Sequence, residues 1–293
     1  MVLSTLRWGL WGALCLAGAA AAAPAERVPG SVGFPAVAAL PAPNPVATVR
    51  YGPAGPQHAE LYLPAGSAPA PVVVLVHGGC WLNAYGLDHI RALAGALAAE
   101  GYAVWSLEYR RVGDDGGGWP GTGDDVQAAV AALTFAPFSE RFDLQRLAVL
   151  GHSAGGHLAL WLASHWPDSL PAPKLALGLA PITDLPAYAL GDNSCEVATP
   201  QFLGGLPETA PAAYAAADPL PKTLGTTAFA LIHGAEDPIV APSQSEAFAQ
   251  ALGRAGRAVT LEILPDHGHF ALIHPWSPAY PVLTGVLGEA LAP

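Results

Sequence analysis

The stretch Leu147-Ala148-Val149-Leu150-Gly151-His152-Ser153-Ala154-Gly155 decides how this chain folds. Its four leading apolar residues read as a buried strand, and the residues from Ser153 to Ser164 are compatible with a helix. Between the two lies Gly-x-Ser-x-Gly. A serine on so sharp a strand-to-helix turn takes an unfavourable backbone conformation. Side chains two residues to either side would strike the adjoining strand and helix, so glycine fits there. The turn lifts the Ser153 hydroxyl above the sheet edge as a nucleophile and aims the next amide, that of Ala154, at an oxygen gaining negative charge. A glycine-rich helix start can show the same five residues without chemistry; the flanking strand and helix favour the catalytic reading.

Upstream, the apolar run Val72–Val76 ends in His77-Gly78-Gly79-Cys80-Trp81. Two residues without side chains directly after a strand leave amides open to a carbonyl oxygen, so Gly78 and Gly79 are the candidate oxyanion donors beside Ala154. His77 reads as a brace for this loop and Cys80 as a small buried residue. Trp81 reads as core packing or as a wall of the acyl pocket, and stands as the substrate-binding candidate.

A serine hydroxyl needs a base, and the base needs an acid to fix its tautomer. The Gly-x-Ser-x-Gly turn resembles that of α/β-hydrolases, and the resemblance implies an acid and then a histidine, each just past a late strand. Asp237 follows the strand ending at Ile232, in His233-Gly234-Ala235-Glu236-Asp237-Pro238. His269 follows the strand ending at Leu264, in Asp266-His267-Gly268-His269-Phe270. Glu236 and His267 are the rivals. Pro238 helps fix the turn after Asp237, and Gly268 precedes His269. His152 and His157 read as packing, and Glu108-Tyr109-Arg110 as a structural ion pair. Asp114-Asp115 has no calcium-loop or other metal spacing around it. No metal and no cofactor are expected.

Further strands are expected at Ala59–Leu63, Ala103–Leu107, Leu175–Leu179, Ala228–Ile232 and Val259–Leu264. Helices are expected at Asp88–Glu100, Asp124–Leu133, Ser243–Ala255 and Pro281–Leu291, with Asp124 and Ser243 as caps. Continuous apolar strands alternating with helices imply an α/β architecture, a mostly parallel sheet covered on both faces. Residues 182–222, dense in Pro, Gly and Ala, are too long for a simple connection and read as a lid-like insert or side wall.

Taken together, His77-Gly78-Gly79 with Trp81, Glu108-Tyr109-Arg110, Trp119-Pro120 before Asp125, Gly151-His152-Ser153-Ala154-Gly155-Gly156, His233-Gly234 before Asp237 and Gly268-His269-Phe270 resemble the α/β-hydrolase superfamily. More narrowly they resemble its hormone-sensitive-lipase-like and kynurenine-formamidase-like carboxylesterases. The resemblance runs from about Thr48 to the C-terminus. It implies Ser153 as nucleophile, Asp237 as acid, His269 as base and Gly78, Gly79 and Ala154 as the oxyanion hole, acting on a small or polymer-linked carboxylic ester. Where that formamidase group carries a bulky residue this chain has Cys80. An arylformamidase-type amide hydrolase is the alternative, and a hydrolase-fold binding module without catalysis is the reading from another class.

Composition fits. Of 293 residues 12% are charged and 52% hydrophobic, with 33 glycines and 30 prolines, and the formal charge is −11, leaving no surplus cation for a nucleic acid. A mean hydropathy of +0.35 argues for folding rather than disorder. Residues 8–25 hold no charge, follow Arg7 and run into Ala21-Ala22-Ala23-Pro24-Ala25-Glu26, the pattern of a cleaved signal peptide over residues 1–25. Residues 26–47 read as an extended Ala/Pro-rich leader, and residues 48–293 as one hydrolase domain. The expected location is secreted or periplasmic, with no membrane span after cleavage. An oxidising compartment would let Cys80 and Cys195 pair.

Overall fold

The computed structural model describes residues 30–220 and 225–293. The expected signal peptide lies outside these residues. Among the described residues eight strands form one sheet: β1 (Ala47–Arg50), β2 (His58–Tyr62), β3 (Ala70–Val76), β4 (Ala103–Leu107), β5 (Phe142–His152), β6 (Leu175–Leu179), β7 (Ala228–Gly234) and β8 (Val259–Leu264). They lie in the order β1-β2-β4-β3-β5-β6-β7-β8, antiparallel across β1, β2 and β4 and parallel from β4 to β8.

Among the described residues nine α-helices accompany the sheet: α1 (Phe34–Ala38), α2 (Arg91–Ala99), α3 (Gly121–Ala131), α4 (Ala154–Ala163), α5 (Leu185–Tyr188), α6 (Ser194–Leu203), α7 (Pro211–Ala217), α8 (Ser243–Arg254) and α9 (Tyr280–Ala290). Strand alternation divides the core in two. Val72, Val74 and Val76 of β3 pack on the face covered by α3, α4, α6 and α8, while Val73 and Leu75 pack on the face covered by α2 and α9. Both faces of the central strands are therefore dry, which is why those strands are continuous apolar runs.

Four features depart from the sequence expectation. The leader is not extended throughout: Gly33 opens α1 with Pro35 in its first turn, a position where proline costs no hydrogen bond, and Val37 is buried. β1 escapes a search for apolar runs because it is a four-residue edge strand with alternate residues exposed. Asp124 and Ser243 cap nothing; α3 begins after Pro120 and α8 after Pro242, so Asp124 sits in the first turn, where its charge favours the helix dipole. The insert is helical in α5, α6 and α7. Asn193 and Glu196 form a capping box at the start of α6, a signal hidden in the sequence by Pro200 further along the same helix.

The sheet order places the functional loops together. β3 and β5 are neighbours in register, Val76 beside Gly151, so the loop from His77 and the turn at Ser153 leave adjacent strands side by side. β7 and β8 are paired through Gly234 and Leu264, so the loops holding Asp237 and His269 leave the same edge. In open parallel sheets this carboxyl edge is where ligands bind.

Candidate active site

Ser153 joins β5 to α4 with φ 57° and ψ −123°, a left-handed φ that a non-glycine residue takes only under constraint. The constraint is visible next to it. A Cβ at Gly155 would lie 2.2 Å from the His77 carbonyl oxygen, and one at Gly151 would lie 2.0 Å from that of Gly155. The turn is thus wedged between β3 and its own helix. Ser153 is buried but lines a cavity of about 220 Å³ that His269 also lines.

His269 Nδ1 donates to Asp237 Oδ2 over 2.6 Å, both side chains being buried. The other carboxylate oxygen, Oδ1, accepts from the amides of Ile239 (2.8 Å) and Val240 (2.9 Å). Burial by itself would raise this carboxyl, but hydrogen bonding to His233 and His269 and from the Val240 amide outweighs it and holds Asp237 well below the usual carboxylate range. The sequence pattern assigns His233 no role. It is fully buried at the end of β7, with Nε2 2.8 Å from the Val240 carbonyl and 3.5 Å from Asp237 Oδ2, and with Nδ1 2.7 Å from Ser245 Oγ. The signal for it was the spacing of four from Asp237 at a strand end. The rivals fall elsewhere: Glu236 and His267 do not line the cavity, and His267 Nδ1 turns to the Pro265 carbonyl.

His152 braces the other side of His269. Burial, then the neighbouring His269 and His89 rings, push it well below the usual imidazole range, so it stays neutral and its Nε2 donates to the His269 carbonyl over 3.1 Å.

The glycine loop lies against Ser153. A Cβ at Gly78 would come within 2.7 Å of the His152 carbonyl oxygen and 3.0 Å of Ser153 Cβ, and one at Gly79 (φ 110°) within 2.4 Å of Tyr85 Cβ. His77 sits behind this loop, fully buried, with Nδ1 2.7 Å from the Gly78 carbonyl, Nε2 2.9 Å from Glu108 Oε1 and its ring stacked on Tyr109 at 4.4 Å. Burial would raise Glu108, yet the charge and hydrogen bond of His77, together with Arg111, bring it down to about 2. Arg111 is the ion-pair partner of Glu108 at 2.9 Å, while Arg110 pairs with Asp125 at 2.7 Å. The Glu108-Tyr109-Arg110 stretch is therefore structural, with its two charges serving different partners.

Trp81, the substrate-binding candidate, does not line the cavity. It is wholly buried, stacked on Phe202 at 4.6 Å and edge-on to His157 at 5.5 Å. Cys80 and Trp81 both have positive φ, and this turn sends the indole into the core and leaves Cys80 facing the cavity. Cys80 is disulfide-bonded to Cys195 at the start of α6, and Cys195 lines the cavity as well. Phe34, Tyr85, His89, Ile239 and Phe270 are also part of the wall. Among the described residues no cluster of three or more His, Cys, Asp or Glu is placed to hold a metal.

The arrangement can activate a hydroxyl, stabilise an oxyanion and hold one small group. Its likenesses point the same way. The BD-FAE family profile matches residues 59–252. Esterase LipC of Mycobacterium tuberculosis is 28% identical over 215 residues, 69% of this chain and 53% of LipC. Kynurenine formamidase of Danio rerio is 30% identical over 129 residues, 43% of this chain and 42% of that enzyme. The chain thus spans about half the length of the curated relatives it matches. The crystal structure of esterase B from Lactobacillus rhamnosis superposes with a TM-score of 0.73 at 24% identity, covering 88% of this chain and 89% of that one, a likeness that carries the α/β-hydrolase fold.

Proposed function

Because the chain belongs to the BD-FAE family, we propose that it is a serine hydrolase of carboxylic esters that works through Ser153, His269 and Asp237 and an acyl-enzyme. The observation that carries this reading is the 2.6 Å Asp237–His269 hydrogen bond beside a cavity floored by a serine on a strained turn. With Nδ1 committed to Asp237, His269 presents Nε2 to the cavity as a base. Ser153 Oγ attacks the ester carbonyl carbon and its proton passes to His269. The carbonyl oxygen becomes an oxyanion held by amides of Gly78, Gly79 and Ala154. Collapse breaks the C–O bond to the alcohol, which takes the proton from His269. Water, deprotonated by the same histidine, then releases the acid and restores Ser153. Asp237 remains ionised throughout, which its depressed proton affinity favours, and it stabilises the imidazolium formed at each step.

Replacing Ser153 by alanine tests this. Turnover of a p-nitrophenyl ester is expected to fall by about 10⁶-fold, and covalent labelling by a fluorophosphonate to vanish. Near-normal turnover by that variant would refute it. The likeness to kynurenine formamidase makes an N-formyl aryl amide the second substrate to assay. Faster cleavage of that amide than of the matching ester would move the reading to the amide. The Cys80–Cys195 disulfide supports a working place in an oxidising compartment, as export to the periplasm or medium would provide.

A further inference from the structure

The segment ahead of β1 reaches into the candidate active site. Gly268 N donates to the Gly30 carbonyl over 3.0 Å, one residue before His269. The approach is close enough that a Cβ on Gly30 would lie 1.9 Å from the Asp266 carbonyl oxygen. From there the chain enters α1, which is pinned to the core by Val37 at 1% exposure. Phe34 opens that helix and points into the cavity. Its ring meets Tyr85 edge-on at 5.3 Å, Phe270 edge-on at 5.7 Å and His89 at 5.5 Å.

These contacts tie together the two halves of the site. Tyr85 packs on Gly79, a donor of the proposed oxyanion hole, and Phe270 follows His269. A ring held between them is fixed by both and has little freedom to swing away. Burial, foremost, and then His77 lower the His89 imidazole to about 3, so the ring facing Phe34 is neutral and presents no charge to a bound group. The cavity that results, about 220 Å³, is smaller than the ~300–1,000 Å³ of a typical ligand pocket.

On the ester-hydrolase reading above, the geometry points to Phe34 as a specificity-determining residue that closes the catalytic cavity and sets the largest group the substrate can place there. Removing the ring opens the cavity toward α1; enlarging it fills space a substrate would use. A hydrophobic site discriminates by roughly 10- to 200-fold per methylene it cannot accommodate, so the effect is large enough to read in rates.

The test uses two ester panels on the full chain, one varying the acyl group from acetyl to octanoyl on p-nitrophenol and one varying the alcohol on acetate. The readout is the profile of kcat/KM against size. Phe34→Ala is expected to raise the large-to-small ratio at least tenfold in one panel, and Phe34→Trp to lower it in the same panel. A general loosening of the fold would depress all substrates alike and would not give opposite shifts. Phe34→Leu repeats the test if the alanine variant does not fold. Profiles parallel to the parent in both panels overturn the assignment. A parent protein that cleaves no member of either panel overturns the ester-hydrolase reading itself, and this assignment with it.

Discussion

Asp237 meets His269 through one carboxylate oxygen while its other oxygen is saturated by the amides of Ile239 and Val240. An asparagine there keeps the shape but must present either its amide nitrogen or a weaker acceptor to His269, which frees the ring to adopt the wrong tautomer. Asp237→Asn is therefore expected to lower kcat on p-nitrophenyl acetate by about 10⁴-fold. Circular dichroism should show an intact fold. A loss below tenfold would mean that another group, such as Glu236, supplies the acid.

Gly78 has no room for a side chain. The methyl of Gly78→Ala would press on the His152 carbonyl and on Ser153 itself, moving the proposed donor and the proposed nucleophile together. Loss of one oxyanion donor costs about 10² to 10³ in kcat, and the displacement of Ser153 adds to that. The expected signature is a fall in kcat with KM within a few-fold of the parent. A rise in KM alone would place Gly78 outside the oxyanion hole.

The disulfide closes a chain segment of 115 residues between the glycine loop and α6. On the chain-entropy account such a crosslink is worth about 4 to 5 kcal/mol. The double variant Cys80→Ser, Cys195→Ser should melt about 10 °C lower than the oxidised parent, by differential scanning calorimetry. Reduction of the parent should produce the same shift. An unchanged Tm in both experiments would show that the segment is held by α6 packing alone.

Acid should destabilise the protein in two stages. His89 and His157, brought down to about 3 and about 4 chiefly by burial, are neutral when folded, whereas in the unfolded chain they accept protons below their usual 6.5. Unfolding is therefore favoured progressively as pH drops from about 6.5 toward 4. Glu108, at about 2 when folded against its usual 4.5, contributes stability that is complete above 4.5 and lost between 4.5 and 2. Asp237 acts in the same direction. Thermal melts from pH 8 to pH 3 should show Tm constant above about 7, then falling with a second, steeper decline below 4.5. A Tm that holds level down to pH 4 would contradict this.

How much of this was legible in the chain follows from where each signal lives. The strained turn at Ser153 and the close approach of Gly78 and Gly79 to it could be read because each follows an apolar strand directly, and both strand and glycine are local in sequence. That Asp237 and His269 lie together could be read because parallel strands send their loops to a common edge. The walls of the cavity obey no such local rule. Phe34, Ile239 and the Cys80–Cys195 pair reach the cavity through tertiary packing of segments far apart in sequence. Trp81 could not be assigned between core and pocket wall for the same reason, since nothing in the residues around it announces the positive φ that turns it inward.

The hydrogen bond between Gly268 and Gly30 joins positions near the two ends of the described chain. During synthesis Gly30 and Phe34 emerge long before the His269 loop, so the Gly30 carbonyl and one side of the Phe34 ring stay without their Gly268 and Phe270 partners until the final strand and its loop have emerged. A nascent chain carries Gly78, Gly79 and the turn at Ser153 long before it holds His269, the proposed base. Hydrolytic competence would then switch on in a single late event rather than grow with length, and arrest of translation before residue 264 should yield chains that no active-site phosphonate can label.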